Sequence, residues 1–250
     1  MAGHSKWANI KHRKGRQDAR RSKLWSKCAR AIIVAARQGG GDPASNLTLR
    51  YAIDEARSQN MPKDTIENAI KKGAGDIAGV VYESIVYEGY GSGGVAIMID
   101  CLTDNRNRTV PEIRKMFEKF GGNLGASGCV AYNFQSKGQV FVAKGGTEEE
   151  PVINIALEAG AEDVMDADES WQVVSDPGGY LTVRDALESA GMAIESAEIS
   201  MIPSSTVSVT GKDARRVLHL IESLEDHDDV QKVHANFEIS EEEIALLSEL

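Results

Sequence analysis

The chain has 250 residues, 42% of them hydrophobic and 26% charged, with a formal net charge of −10 at pH 7. That length favours two or three domains with their own cores. The longest apolar runs, Ala31 to Ala36 and Val95 to Ile99, fall far short of the about 20 residues that a membrane-spanning helix needs, so no membrane partner is expected. Charge is distributed unevenly: residues 1 to 37 hold eleven Lys or Arg against one acid, Asp18, a net +10, which leaves −20 on residues 38 to 250. A basic leading segment that seeks polyanions, attached to a body that repels them, is the expected arrangement.

Residues 2 to 21 carry only Trp7 and Ile10 as sizeable apolar groups, too few to offset the entropy of ordering the backbone. They read as a flexible basic arm over 1–21. The arm contains no apolar stretch of the secretory kind, although a basic, acid-poor start also fits a mitochondrial transit peptide. A helical domain follows over 22–78. Its first helix runs from Ser22, a plausible N-cap, to Gln38 before Gly39-Gly40-Gly41. Leu24, Cys28, Ala31, Ile32 and Ala35 form its inward stripe, and Lys23, Lys27, Arg30 and Arg37 fall on another face. The second helix fits Asn46 to Gln59, and the third fits Pro62 to Lys72, ending at Gly73. The tight turn at Gln59 to Lys63 permits a helix-turn-helix reading, a spacing that many three-helix bundles share.

After Gly79 the pattern becomes mixed. Strands are expected at Val80–Glu88 and Val95–Leu102 around a glycine-rich hairpin, then a helix at Thr109–Phe120 and a strand near Val130–Phe134. The next series is strand Gln139–Ala143, helix Glu148–Glu158, strands Glu162–Ala167 and Trp171–Ser175, helix Leu181–Ala190 and strand Ile194–Met201. That is the βαββαβ order of a ferredoxin-like unit. Strand Thr206–Thr210, helix Asp213–Ser223 and strand Lys232–Glu238 close the chain. They supply what the incomplete unit before Gln135 lacks, since one helix leaves part of an open sheet uncovered. The predicted fold is multi-domain α+β: a three-helix domain, a split α+β domain over 79–135 plus 204–250, and a ferredoxin-like domain inserted over 136–203.

Motifs for chemistry are weak. Gly89-Tyr90-Gly91-Ser92-Gly93-Gly94 satisfies a dinucleotide-loop spacing but lies between two strands rather than before a helix. Gly121 to Gly128 lacks the ending of a phosphate-binding loop. The five histidines show no metal-binding spacing, Glu225-Asp226-His227-Asp228-Asp229 reads as a solvated turn, and no nucleophile motif is present. Cys28, Cys101 and Cys129 are odd in number and distant in sequence, which points to neither disulfides nor zinc and fits a reducing cytosol.

The arm is the candidate site. Lys6, Lys11, Arg13, Lys14, Arg16, Arg20 and Arg21 supply phosphate-directed charge, Trp7, His4 and His12 supply rings for base stacking, and Lys23, Lys27 and Arg30 continue the charge onto the first helix. The alternative is a solubilising tail. A second cationic point is Thr103-Asp104-Asn105-Arg106-Asn107-Arg108-Thr109, where Thr109 is the expected N-cap with Glu112 completing a capping box. Residues 79 to 250 hold 12 basic against 31 acidic residues, so Arg106 and Arg108 are open to either internal ion pairs or nucleic acid.

At MAGHSKWANIKHRK, NMPKDTIENAIKKGAG, YEGYGSGGVAIMIDCLTDNRNRT, FGGNLGASGCVAYNF and the AEISMIP run before Ser204, the chain resembles the YebC/PmpR family over essentially its whole length. The resemblance implies a helical N-terminal domain and two α/β domains, no catalytic activity, and no metal or organic cofactor. Members are described as probable DNA-binding transcriptional regulators; mitochondrial relatives activate translation of a cytochrome oxidase subunit, and bacterial members are linked to ribosomal function. Because the shared motif starts at Met1, the arm is expected in the mature protein. Trp25 stands where many relatives carry phenylalanine, a volume-tolerant exchange. The expectation is a cytoplasmic nucleic-acid-binding regulator, with a ribosome-associated translation factor as the alternative and the acidic domains free to meet protein partners.

Overall fold

The computed structural model describes residues 18–75, 81–145, 148–167, 169–240 and 243, with side chains from Ser22 onward. Three helices open it: α1 (Asp18–Gly39), α2 (Leu47–Ser58) and α3 (Lys63–Ala74). Cys28, Ile32, Ala35 and Ala36 of α1 bury against Leu49, Ile53 and Ala56 of α2 and Ile66 and Ala69 of α3. Two members of the predicted α1 stripe behave differently, since Leu24 is exposed and Ala31 half-buried.

Asn46 fixes the entry to α2. Its Oδ1 accepts the Leu49 N–H at 3.0 Å, and its Nδ2 donates to Ala35 O and Gly40 O, each at 2.8 Å, so one side chain caps one helix and holds the end of another. The third helix does not stop at Gly73, as the sequence suggested. A Cβ there would lie 2.4 Å from Ile33 O, so this glycine permits the close crossing of α1 and α3 rather than marking an end.

The first sheet has the order β3-β1-β2-β9, formed by β1 (Glu83–Tyr90), β2 (Ala96–Thr103), β3 (Asn123–Leu124) and β9 (Val230–Ala235). Its ladders are antiparallel, with Tyr87 opposite Ile99 and Ile99 opposite Val233. Helices α4 (Arg106–Lys119) and α7 (Gly211–Glu225) pack on one face. Ile97, Ile99 and Cys101 meet Ile113, Phe117, Val217, Leu220, Ile221 and Leu224 there in one core.

Helix α4 begins three residues before the predicted cap. Asn105 is the N-cap, accepting the Arg108 N–H through its side chain at 3.2 Å. Thr109 is buried inside the first turns instead. The strand expected near Val130–Phe134 is a short 3-10 turn at Ala131–Asn133, with strand beginning at Phe134. The buried Glu88 carboxylate explains the difference: it accepts from the N–H groups of Gly128, Val130 and Ala131 at 2.6, 2.8 and 2.9 Å, leaving those donors unavailable to a ladder. Burial alone would raise the Glu88 pKa, yet the three donors hold it below the ordinary value.

The second sheet has the order β5-β6-β4-β7, from β4 (Phe134–Ala143), β5 (Asp163–Ala167), β6 (Ser170–Ser175) and β7 (Ile194–Pro203). With α5 (Glu149–Glu158) and α6 (Tyr180–Ser189) on one face, it is the ferredoxin-like arrangement read from the sequence. The chain enters and leaves this unit through β4 and β7, paired from Phe134 opposite Pro203 to Val142 opposite Ile194. Strand β8 is shorter than expected, only Val207–Ser208, and pairs in parallel with β10 (Phe237–Glu238). Asn236 interrupts the last predicted strand by accepting the Ala96 N–H at 2.7 Å. No described helix is long and apolar enough to cross a membrane.

Candidate nucleic-acid interface

His4, Lys6, Trp7, Lys11, His12, Arg13, Lys14 and Arg16 lie outside the described residues, as do the side chains of Arg20 and Arg21, whose backbones belong to α1. The remaining candidates are placed: Lys27 and Arg30 face inward, Lys23 is half-buried, and Arg106 and Arg108 are exposed. Lys23, Lys27 and Arg30 recur at i, i+4 and i+7, one stripe of α1. That stripe points at the C-terminal end of α7 and the turn after it.

Lys23 donates to Asp226 O and lies 3.4 Å from the Asp228 carboxylate. Lys27 donates to Glu225 O at 2.5 Å, and Arg30 to Asp228 O at 2.8 Å and Leu102 O at 3.1 Å. Helix C-termini carry unsatisfied carbonyls and a partial negative charge, so this cationic stripe is the natural complement of that end. The expectation that α1 shows these cations to solvent is therefore corrected for Lys27 and Arg30, while Lys23 stays partly exposed. Lys27 is only 9% exposed, and its pKa falls to about 8, chiefly because burial penalises the charged form, with Glu225 opposing and Lys23 adding repulsion.

Asp229 is the centre of this contact and 3% exposed. Its carboxylate accepts from Arg108 Nη2 at 2.7 Å, Thr109 Oγ1 at 2.8 Å, Thr103 Oγ1 at 3.1 Å and Arg30 Nη1 at 3.2 Å. Burial pushes its pKa up, but the donors from Arg108, Thr109 and Thr103 outweigh that and hold it below the ordinary carboxylate value. The acidic run Glu225 to Asp229 is thus a docking element through its backbone carbonyls and the buried Asp229, while the Asp226 and Asp228 side chains stay exposed as a solvated turn would leave them. Arg108 takes the internal alternative, pairing with Asp104 at 3.0 Å as well as with Asp229. Arg106 is exposed at the first position of α4.

The face of the first sheet opposite α4 and α7 meets the other two domains. Lys232 lies 2.7 Å from the Glu198 carboxylate and donates to Ile199 O at 2.9 Å. Its pKa is raised, because burial is outweighed by the Glu198, Glu55 and Asp100 carboxylates. Tyr51 of α2 donates to Pro177 O at 2.7 Å, and Arg184 of α6 pairs with Asp54 of α2. Around these contacts lies a cavity of about 390 Å³ that reaches Leu24, Ala31, Cys28 and Tyr180. Burial pushes the Cys28 thiol up to about 11 and the Cys101 thiol up to about 12, which favours the protonated form of both at neutral pH.

Sequence reasoning missed the acidic turn. The signal was present as a match between two separate runs: three cations spaced for one helix face, and four acids in five residues.

Three helices leading into two α/β units, one threaded through the other and tied to the helices by arginine–carboxylate contacts, define a multi-domain α+β protein. The chain belongs to the TACO1/YebC family: residues 5–76 match its N-terminal domain and residues 82–237 its second and third domains. It is 53% identical over 247 residues to a "probable transcriptional regulatory protein" of Geobacter sulfurreducens, covering 99% of this chain and all of that one. A protein of the same description from Desulfotalea psychrophila is 53% identical over 250 residues, the whole of both chains. Among solved structures, a conserved hypothetical protein of Aquifex aeolicus is similar with a TM-score of 0.79 at 49% identity, over 90% of this chain and 93% of that one.

Proposed function

We propose that the protein is a cytoplasmic, non-enzymatic regulator of gene expression that binds nucleic acid through its basic leading segment, acting as a DNA-binding transcriptional regulator. The observation that carries this is the division of cations. Lys23, Lys27, Arg30 and Arg108 are occupied within the fold, so the phosphate-directed charge of the front end falls to Lys6, Lys11, Arg13, Lys14, Arg16, Arg20 and Arg21. The names of the relatives support the transcriptional reading.

A translational role on the ribosome is the second reading, favoured by the kind of side chains available. Phosphate contacts position a protein without specifying sequence, and the leading segment offers few groups suited to reading base edges. Reversing Lys11, Arg13, Lys14 and Arg16 to Glu should abolish binding while changing stability by less than about 1 kcal/mol. Unchanged affinity in that variant would remove the segment from the mechanism. Retention on ribosomes at physiological salt, with no preference among duplex DNA sequences, would replace the transcriptional reading by the translational one.

A further inference from the structure

Helices α4 and α7 lie antiparallel on the first sheet, with Glu112 facing His227 at one end and Phe120 facing His219 at the other. At the second end the outward residues are cationic. Lys115 and Lys119 share a face of α4 at i, i+4; Lys212, Arg216 and His219 share a face of α7 at i, i+4, i+7. Lys115, Lys119 and Lys212 are exposed. Among the described residues none of these lysines, nor Arg216, is in an ion pair.

Of the nearby acids, Asp213 and Glu112 are engaged elsewhere, whereas Glu222 sits beside the cluster's own His219. Asp213 accepts from Ser92 Oγ at 2.6 Å and Glu112 pairs with His227 at 2.9 Å, while Glu222 is 3.8 Å from His219. In a body with 31 acids against 12 cations from residue 79 onward, four neighbouring cations without an ion-pair partner among the described residues repel one another, a cost that nothing in the packing of this helix pair requires.

The centre of the cluster is aromatic. The Phe120 ring and the His219 imidazole stack with centroids 6.1 Å apart at 26°, and Lys119 Nζ lies 5.0 Å from the Phe120 centroid. The His219 side chain is 65% exposed. Cations around an accessible flat ring are what a phosphodiester chain with an unpaired base requires: charge for the backbone and a stacking surface for the base.

We propose that the α4/α7 face is a second nucleic-acid contact, separate from the leading segment, which takes a single-stranded or looped stretch with one base stacked on His219. It rests on the nucleic-acid reading above and adds where a second part of the same ligand is held.

The test uses the full chain and three 30-nucleotide probes of one mixed sequence: single-stranded RNA, single-stranded DNA and duplex DNA. Affinity is measured by fluorescence anisotropy between 50 and 300 mM salt. Replacing Lys115, Lys119 and Arg216 by Ala should lower the slope of log affinity against log salt by about 2, at about 0.7 per lost single-strand contact. H219A should weaken single-strand binding about tenfold at fixed salt and leave the slope unchanged. Both variants should melt with the wild type, because the changed side chains lie outside the core. Equal losses on RNA and DNA strands assign the contact to backbone and base, and a larger loss on RNA adds the 2′-hydroxyl; either supports the proposal. Wild-type affinity and slope in the triple variant, with binding lost in the leading-segment variant, would overturn this proposal and leave the proposed function standing. Equal H219A losses on duplex and single strand would overturn the unpaired base. If the wild type binds none of the probes, the proposed function fails and this proposal with it.

Discussion

Two cationic helix faces in this molecule have opposite fates. On α1, Lys23, Lys27 and Arg30 end on carbonyls and carboxylates at the C-terminus of α7 and the Asp229 turn. On the α4/α7 face, Lys115, Lys119, Lys212 and Arg216 meet no anion as an ion-pair partner among the described residues. The two clusters have similar composition and would be scored alike by charge alone. What separates them is partnership: the α1 cations are matched to fixed acceptors, with Lys27 and Arg30 largely out of water, whereas the α4/α7 cations have no ion-pair partner among the described residues and Lys115, Lys119 and Lys212 keep their hydration and their reach. A run of Lys and Arg is therefore evidence for a polyanion partner only after the chain's own acids have been considered as that partner.

The strongest way to break the contrast is at Asp229. D229A leaves Arg30, Arg108, Thr103 and Thr109 without their shared acceptor, and should lower unfolding free energy by about 3 kcal/mol, the scale for removing one member of a buried ion pair. Chemical denaturation followed by intrinsic tryptophan fluorescence measures it. Because the folded-state pKa of Asp229 lies below its unfolded value, its stabilisation is present above the unfolded carboxylate value and is lost as pH falls through the folded one. D229N should flatten that acid limb of the stability profile. A D229A variant as stable as wild type would show that α1 docks without the acidic turn.

Lys27 sharpens the comparison from the basic side. A lysine whose folded pKa is about 8 against an ordinary 10.5 is penalised in its charged form by the fold. The penalty is fully present below pH 8 and disappears as pH rises toward 10.5, because over that window the unfolded chain binds the extra proton. Wild-type stability should therefore rise relative to K27M across this window, by up to about 3 kcal/mol at 1.36 per pKa unit. Parallel profiles for the two proteins would mean that Lys27 is not desolvated at the contact.

A smaller effect is expected at Asn46, whose one amide serves both ends of the α1–α2 connection. N46A should cost about 1 to 2 kcal/mol, the upper part of the N-cap range, and should leave nucleic-acid affinity untouched if docking and binding are separate functions.

Much of the architecture was legible because it rests on local chemistry. Asn46, the Gly39-Gly40-Gly41 run and the Asn60-Met61-Pro62 break delimit the helices, and the βαββαβ order shows as alternating periods. Errors fell where a distant side chain overrode a local pattern. Glu88 claimed the amides of the expected strand at Val130, Asp229 drew Thr109 inward from its apparent cap position, and Ile33 of α1 gave Gly73 a packing role. The candidate site was less legible for the same reason. The spacing of Lys23, Lys27 and Arg30 was visible, but their partners lie some 200 positions away, Glu225 being 198 positions after Lys27. The α4/α7 cations were hidden in another manner, split between two helices that only the sheet brings together.

The smallest expected change in stability tests the other half of the contrast. Replacing Lys115 and Arg216 by Ala removes charges that stabilise no partner in the described structure, so unfolding free energy should move by less than about 0.5 kcal/mol. Any movement should be upward at low salt, where like charges on neighbouring helices repel most, and should vanish as the Debye length contracts to about 8 Å near 0.15 M. The same double replacement in Lys23 and Arg30 removes contacts to Asp226 O, Asp228 and Asp229 and should destabilise at every salt concentration, since the partly buried Arg30–Asp229 pair is screened far less. Denaturation of the two double variants at 20 and 300 mM salt separates the cases. If both pairs respond alike, the α4/α7 cations have partners of their own, and the division between docking charge and reaching charge is drawn in the wrong place.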